Sequence, residues 1–129
     1  MSDENSVLPD FPFEVPRAYY WIVKRRVVGF DANTRLQPWY FLDQRSAFSV
    51  SDRWPRGSEL DLFAFARRQD CDDIACFEAV PRGRAVRIIV VHGWTSTGYD
   101  VVASYDSLWE WLKSVIDDIA EWVDLDDAI

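Results

Sequence analysis

Histidine occurs once in the 129 residues, as His92, and cysteine twice, as Cys71 and Cys76. One histidine excludes a two-histidine metal site, and two cysteines are too few for a disulfide framework. Residues 1–15 are acidic and proline-rich, unlike a signal peptide, so both thiols are expected free in a reducing cytoplasm. No apolar run approaches the ~18 residues of a membrane span. Basic charge is also missing where nucleic-acid binding would need it. Residues 1–87 hold 13 acids and 13 bases, while residues 88–129 hold 9 acids and only Lys113, which accounts for the net charge of −8. That balance disfavours nucleic acid and anionic membranes. It suits plain solubility or a basic protein partner.

The motifs of common chemistries are equally scarce. A catalytic triad would have to use His92 with Ser96 and Asp100, yet no Gly-x-Ser-x-Gly elbow accompanies them. His92 ends a strand, where a satisfied structural imidazole is the simpler reading. Asp70-Cys71-Asp72-Asp73 lacks the glycine and distant glutamate of an EF-hand loop, and aspartates are ordinary turn formers. Gly93 and Gly98 have no lysine after them, so there is no phosphate-binding loop. Nothing selects a pair of carboxylates for acid–base work. Lys24-Arg25-Arg26 reads as dipole complement at a helix end rather than as a phosphate site. The residues by themselves point to no metal or cofactor.

What is present is aromatic mass, 7 Trp, 5 Tyr and 8 Phe, which gives a single domain of this length the means to build a core. Residues 1–15 read as an extended lead-in tacked down by Phe11 and Phe13. Residues 16–28 fit either helix or strand. Pro16, the Lys24-Arg25-Arg26 run and a left-handed cap at Gly29 favour a helix, whereas Tyr19 to Val23 have strand propensity. Trp39 to Leu42 read as a short strand, and residues 43–57 as one short helix or an irregular excursion.

The centre of the chain is a hairpin. Leu60, Leu62, Ala64 and Ala66 share one face of its first arm and Phe63 and Phe65 the other, the mark of a strand covered on both sides. The polar turn falls at 67–73. With arms 60–66 and 73–79, and strands 85–92 and 99–103 after it, the pattern is an antiparallel meander over 60–103. A C-terminal amphipathic helix follows over 105–123, capped by Ser104 or by Ser107 with Glu110. Leu108, Trp111, Leu112, Val115, Ile116, Ile119, Trp122 and Val123 form its core stripe, and Trp109 falls off that stripe and is expected half-exposed. Residues 124–129 are an acidic tail. The fold class is α+β, a mainly antiparallel sheet flanked by helices.

Leu62-Phe63-Ala64-Phe65-Ala66, an acidic turn and Ile74-Ala75-Cys76-Phe77-Glu78 together resemble the central signature of the SUKH superfamily. Arg87–His92, Tyr99–Ala103 and a last helix with Leu108, Trp109 and Leu112 are similar to that family's closing elements. Pro16, Tyr19, Tyr20, Trp21 and Gly29-Phe30 resemble a shortened first helix. Asp72-Asp73 replaces the usual Gly-Asp pair. The resemblance implies an α+β fold and a non-catalytic role, many bacterial members being immunity proteins that neutralise a polymorphic toxin, often a nuclease.

Two functions stand from the sequence. One is a cytoplasmic immunity protein that binds a basic nuclease toxin through the acids of the hairpin turn, Asp72 and Asp73, and of the last helix, Asp117, Asp118 and Glu121. The alternative is a small enzyme or ligand-binding domain using the Trp94–Tyr99 loop with His92.

Overall fold

The computed structural model describes residues 8–30, 38–53, 61–79, 87–92 and 98–125. The first helix, α1 (Arg17–Lys24), resolves the ambiguity of 16–28 in favour of helix. Its C-terminus carries a correction. The residue in the left-handed region is Arg26 (φ 55°), not Gly29. The amides of Arg26 and Val27 return to the carbonyls of Val23 and Ile22, at 3.0 and 3.1 Å, which is the double hydrogen bond of a Schellman cap. Gly29 instead offers its carbonyl to the Phe41 amide at 2.7 Å and starts the sheet edge.

The sheet contains β1 (Trp39–Phe41), β2 (Phe48–Ser49), β3 (Leu62–Arg68), β4 (Asp73–Glu78), β5 (Ile88–His92) and β6 (Asp100–Tyr105). Its order is β1-β3-β4-β5-β6, every pairing is antiparallel, and β2 lies beside β1 along the same edge of β3. The meander expected over 60–103 is therefore present, with the turn at 69–72 between β3 and β4. Residues 54–60, 80–86 and 93–97 lie outside the described residues. The 43–57 excursion contributes strand β2 and the one-turn helix α2 (Val50–Arg53). A two-residue strand has no periodicity to read, which is why it was invisible in the sequence.

Strict alternation fails in β3, and the reason is local. Register shifts between Ala64, opposite Cys76, and Ala66, opposite Ala75, so Phe65 is the extra residue of a bulge. Phe65 and Ala66 consequently share one core with Phe77, while Leu62 and Ala64 enter the other. Ala66 thus sits with the phenylalanines rather than opposite them. Past the bulge, Arg67 falls on the side of Ile74 and Arg68 on the side of the last helix.

The larger core lies between the sheet and both long helices. Phe65 and Phe77 stack at 4.1 Å, Trp111 meets Phe65 at 5.3 Å and Trp39 at 5.5 Å, and Tyr19 meets Phe41 at 5.2 Å. Phe11 and Phe13 pack edge-on against Phe63 and Phe77, holding the lead-in where the sequence predicts. The smaller core, Leu42, Val50, Leu62, Ala64, Ile74, Cys76, Ile89 and Val91, fills the opposite face.

The last helix, α3 (Leu108–Leu125), is capped by the Ser107 hydroxyl, which accepts from the Glu110 amide at 3.2 Å. Leu108, Trp111 and Val115 are buried. Ile116 and Val123, assigned to the core stripe by their spacing, are instead 56 % and 52 % exposed. They extend the exposed side of the helix begun by Trp109 at 47 %. The eight apolar positions cover too wide an arc for a helix that touches its sheet along one line.

Candidate binding surfaces

Arg68 organises one end of the molecule. Its guanidinium donates twice to Asp70 in the turn, through Nε at 2.8 Å and Nη2 at 2.7 Å, and approaches Asp118 of α3 at 3.6 Å. The hydrogen bond to Asp70 leads the causes that hold this cation above its ordinary range. Asp118 also accepts from the Trp39 indole at 2.8 Å. The β3–β4 turn, β1 and the later turns of α3 are thereby tied together. Of the α3 acids Asp118 is thus joined to the turn through Asp70, while the turn's candidate acids Asp72 and Asp73 pair elsewhere.

The five candidate acids differ. Asp117 and Glu121 are exposed on α3. Asp72 lies 3.9 Å from the Arg67 guanidinium, with both side chains well exposed, so the pair contributes little. Asp73 shares a 2.9 Å hydrogen bond with His92 Nδ1 across the β4–β5 ladder, where the two residues face one another. Asp118 spends its carboxylate on Trp39 and Arg68. Asp117 and Glu121 therefore keep their charge turned to solvent, and Asp73 and Asp118 direct theirs inward.

The alternative site divides at the edge of the described residues, because Gly93 to Thr97 lie outside them. Of the remainder, His92 faces Asp73 and sits opposite Asp100 of β6, and Tyr99 packs against the smaller core. Neither cysteine is activated. Desolvation raises the Cys76 thiol far above its ordinary range and raises Cys71 as well, the opposite of what a nucleophilic thiolate requires. Among the described residues no group of three or more His, Cys, Asp or Glu side chains has metal-site geometry.

A second surface was only half legible in the sequence. Tyr20, Trp21 and Trp109 are each about half exposed. With Arg17, Lys24 and Arg25 they line an open groove of about 600 Å³ between α1 and α3. Trp21 and Trp109 meet edge to face at 6.1 Å, and the Arg25 guanidinium lies 4.3 Å from the Trp21 ring centroid. The Lys24-Arg25-Arg26 run is thus partly an aromatic-stacking element. Pairing Trp21 with Trp109, 88 positions away, needs the tertiary fold.

The fold and its surfaces define an α+β protein with a six-stranded antiparallel sheet and two cores. No family model, curated protein or solved structure matches the chain. No helix among the described residues is long and apolar enough to cross a membrane.

Proposed function

We propose that this chain is a non-catalytic protein-binding module, of the immunity-protein kind that its resemblance to the SUKH superfamily implies. Its partner is a basic protein in the cytoplasm, such as a nuclease toxin whose phosphate-binding cleft an acidic surface occupies. The observation that supports this reading is that Asp117 and Glu121 stand exposed on the same face of α3, one turn apart. Exposed negative charge accelerates encounter with a positive surface and competes for a site that binds phosphate. Neither cysteine is activated, which fits a role without chemistry at sulfur.

Asp117 and Glu121 are the acids to reverse, because their side chains are exposed. Asp117→Lys with Glu121→Lys leaves the fold intact and slows association with a basic nuclease partner by about 10-fold or more at low salt. The difference shrinks near 0.5 M salt, where the screening length is only a few ångströms. Stopped-flow association rates at both salts measure it. Equal rates for wild type and the folded double variant refute the electrostatic contact.

A further inference from the structure

Two adjacent arginines of β3 are used differently. Arg68 is spent on Asp70 and Asp118. The Arg67 guanidinium makes no hydrogen bond among the described residues. Its Nε is buried without an acceptor, and the exposed Asp72 carboxylate stands 3.9 Å from Nη2, beyond hydrogen-bond range. The bulge at Phe65 decides where this side chain goes. Plain alternation from Leu62 and Ala64 would put residue 67 on the face of the larger core. The extra residue reverses that parity. Arg67 therefore stands in a row with its ladder partners, Tyr40 of β1 and Ile74 of β4, on the face of the smaller core.

That row lines a pocket of about 260 Å³. Phe48 of β2 adds to its wall, and the loop between β1 and β2 brings in Arg45 and Ser46. Asp43 holds the loop in shape. Its Oδ1 accepts from the amides of Arg45 and Ser46, both at 3.0 Å, and its carbonyl accepts from the Ala47 amide at 2.9 Å. None of the described residues that line the pocket is acidic. The Arg45 guanidinium, like that of Arg67, has no hydrogen-bonded anion among the described residues. A chain of net charge −8 thus keeps two such cations in one small pocket.

We propose that this pocket binds the phosphoryl group of a small phosphate monoester. Guanidinium forks match phosphate oxygens with paired hydrogen bonds, and two of them suit a dianion better than a carboxylate. The Tyr40 and Phe48 rings beside them suit a flat apolar group on the ester oxygen. At ~30 Å³ per water the pocket has room for roughly nine, close to the number of heavy atoms in such a ligand. A lipid chain or a folded segment is too large for it. The site lies on the sheet face opposite α3 and shares no residue with the Asp117–Glu121 surface, so it does not depend on the proposed partner.

The test titrates the isotope-labelled full chain and follows amide NMR shifts, at about 50 mM salt and about pH 7.5, above the second phosphate pKa of ~6. The probes are phenyl phosphate, inorganic phosphate and benzoate. Phenyl phosphate saturates one site with a dissociation constant on the order of 0.1–1 mM, and the shifts centre on residues 43–48 and Arg67. Inorganic phosphate and benzoate each bind about 5-fold or more weaker, one lacking the ring and the other the dianion. Arg45→Gln and Arg67→Gln each weaken phenyl phosphate about 10-fold or more. Arg45 is exposed, so Arg45→Gln keeps the wild-type circular dichroism and melting midpoint, and its loss is one of binding. Arg17→Gln with Arg25→Gln, which removes two charges from α1, leaves the affinity unchanged. No saturation by phenyl phosphate up to about 10 mM overturns the inference, and so does an affinity that Arg45→Gln and Arg67→Gln leave within about 2-fold of wild type. Inorganic phosphate binding as tightly as the ester overturns the assignment to an ester, and benzoate doing so overturns the assignment to phosphate.

Discussion

Replacing Asp118 with alanine tests the tie between helix and sheet more directly than any core truncation. The carboxylate holds two groups. Oδ2 accepts from the buried Trp39 indole at 2.8 Å, and Oδ1 lies 3.6 Å from Arg68, with both of the latter side chains about a quarter exposed. A hydrogen bond to a charged acceptor is worth ~1.5–3 kcal/mol in mutational series. The partly exposed ion pair adds less than ~1 kcal/mol, because water screens it and Arg68 keeps Asp70. Asp118→Ala is therefore expected to cost about 2–3 kcal/mol, which lowers the melting midpoint of a domain this size by roughly 8–12 °C. Asp118→Asn keeps an acceptor for the indole and gives up the charge, so it costs less than half as much. Urea titrations followed by circular dichroism, with wild type as reference, give both values. If Asp118→Ala remains within ~0.5 kcal/mol of wild type, the indole–carboxylate bond is not a support of the fold and the reasoning fails.

Trp111, fully buried among Phe41, Phe65 and Trp39, should cost ~3–5 kcal/mol on truncation to alanine; a loss under ~1 kcal/mol in the same titration would remove it from the centre of the core. Stability should also fall on the alkaline side. Burial raises both Cys76 and Tyr19 above their ordinary values of 9.0 and 10.0. Below pH ~8 both groups are largely protonated whether the chain is folded or not, and neither contributes much pH dependence. Above it only the unfolded chain ionises them, so stability is lost at up to ~1.4 kcal/mol per pH unit for each group. Cys76→Ala with Tyr19→Phe should flatten the slope of stability between pH 9 and 11, and an unchanged slope counts against both burials. Tyr19→Phe alone at pH 7 should be close to neutral, because the buried hydroxyl has no hydrogen-bond partner among the described residues; a loss above ~1 kcal/mol would reveal one.

Much of this architecture was legible because it rests on periodicity. The hairpin from Leu62 to Glu78, the β-branched run of β5 and the long apolar repeat of α3 each announce their element through spacing alone. Ala66 was assigned to the wrong face because one inserted residue, Phe65, reverses the parity of everything after it, and nothing in the composition marks a bulge made of alanine and phenylalanine. Ile116 and Val123 were given to the core because a helical repeat shows which residues are apolar, not how much of that arc a flat neighbour covers. The acids were legible as two groups, but which of them are spent on partners was not, because Asp118 is tied to Trp39 and to Arg68, which looks in sequence like an ordinary turn cation. Trp21 and Trp109 required the packing of α1 beside α3, a contact with no local signature.

The two margins of the sheet are unequal, and that bears on how the chain behaves when concentrated or heated. Along β3 the outer row of backbone groups is taken by β1 and β2, end to end, from Phe63 to Arg68. At the opposite margin β6 pairs with β5 alone among the described residues, and it presents Val101 and Val102, both half exposed, side by side. Such a margin invites strands of other molecules. The register shift between Val91 and Val90, opposite Val101 and Ala103, interrupts it in the middle. An incoming strand finds at most three consecutive residues in step on either side before its donors and acceptors fall out of phase. The extra residue at Val102 therefore works as a guard against fibre growth. Straightening β6 by deleting it would trade a kinked margin for a flat one, with faster aggregation on heating as the measurable sign.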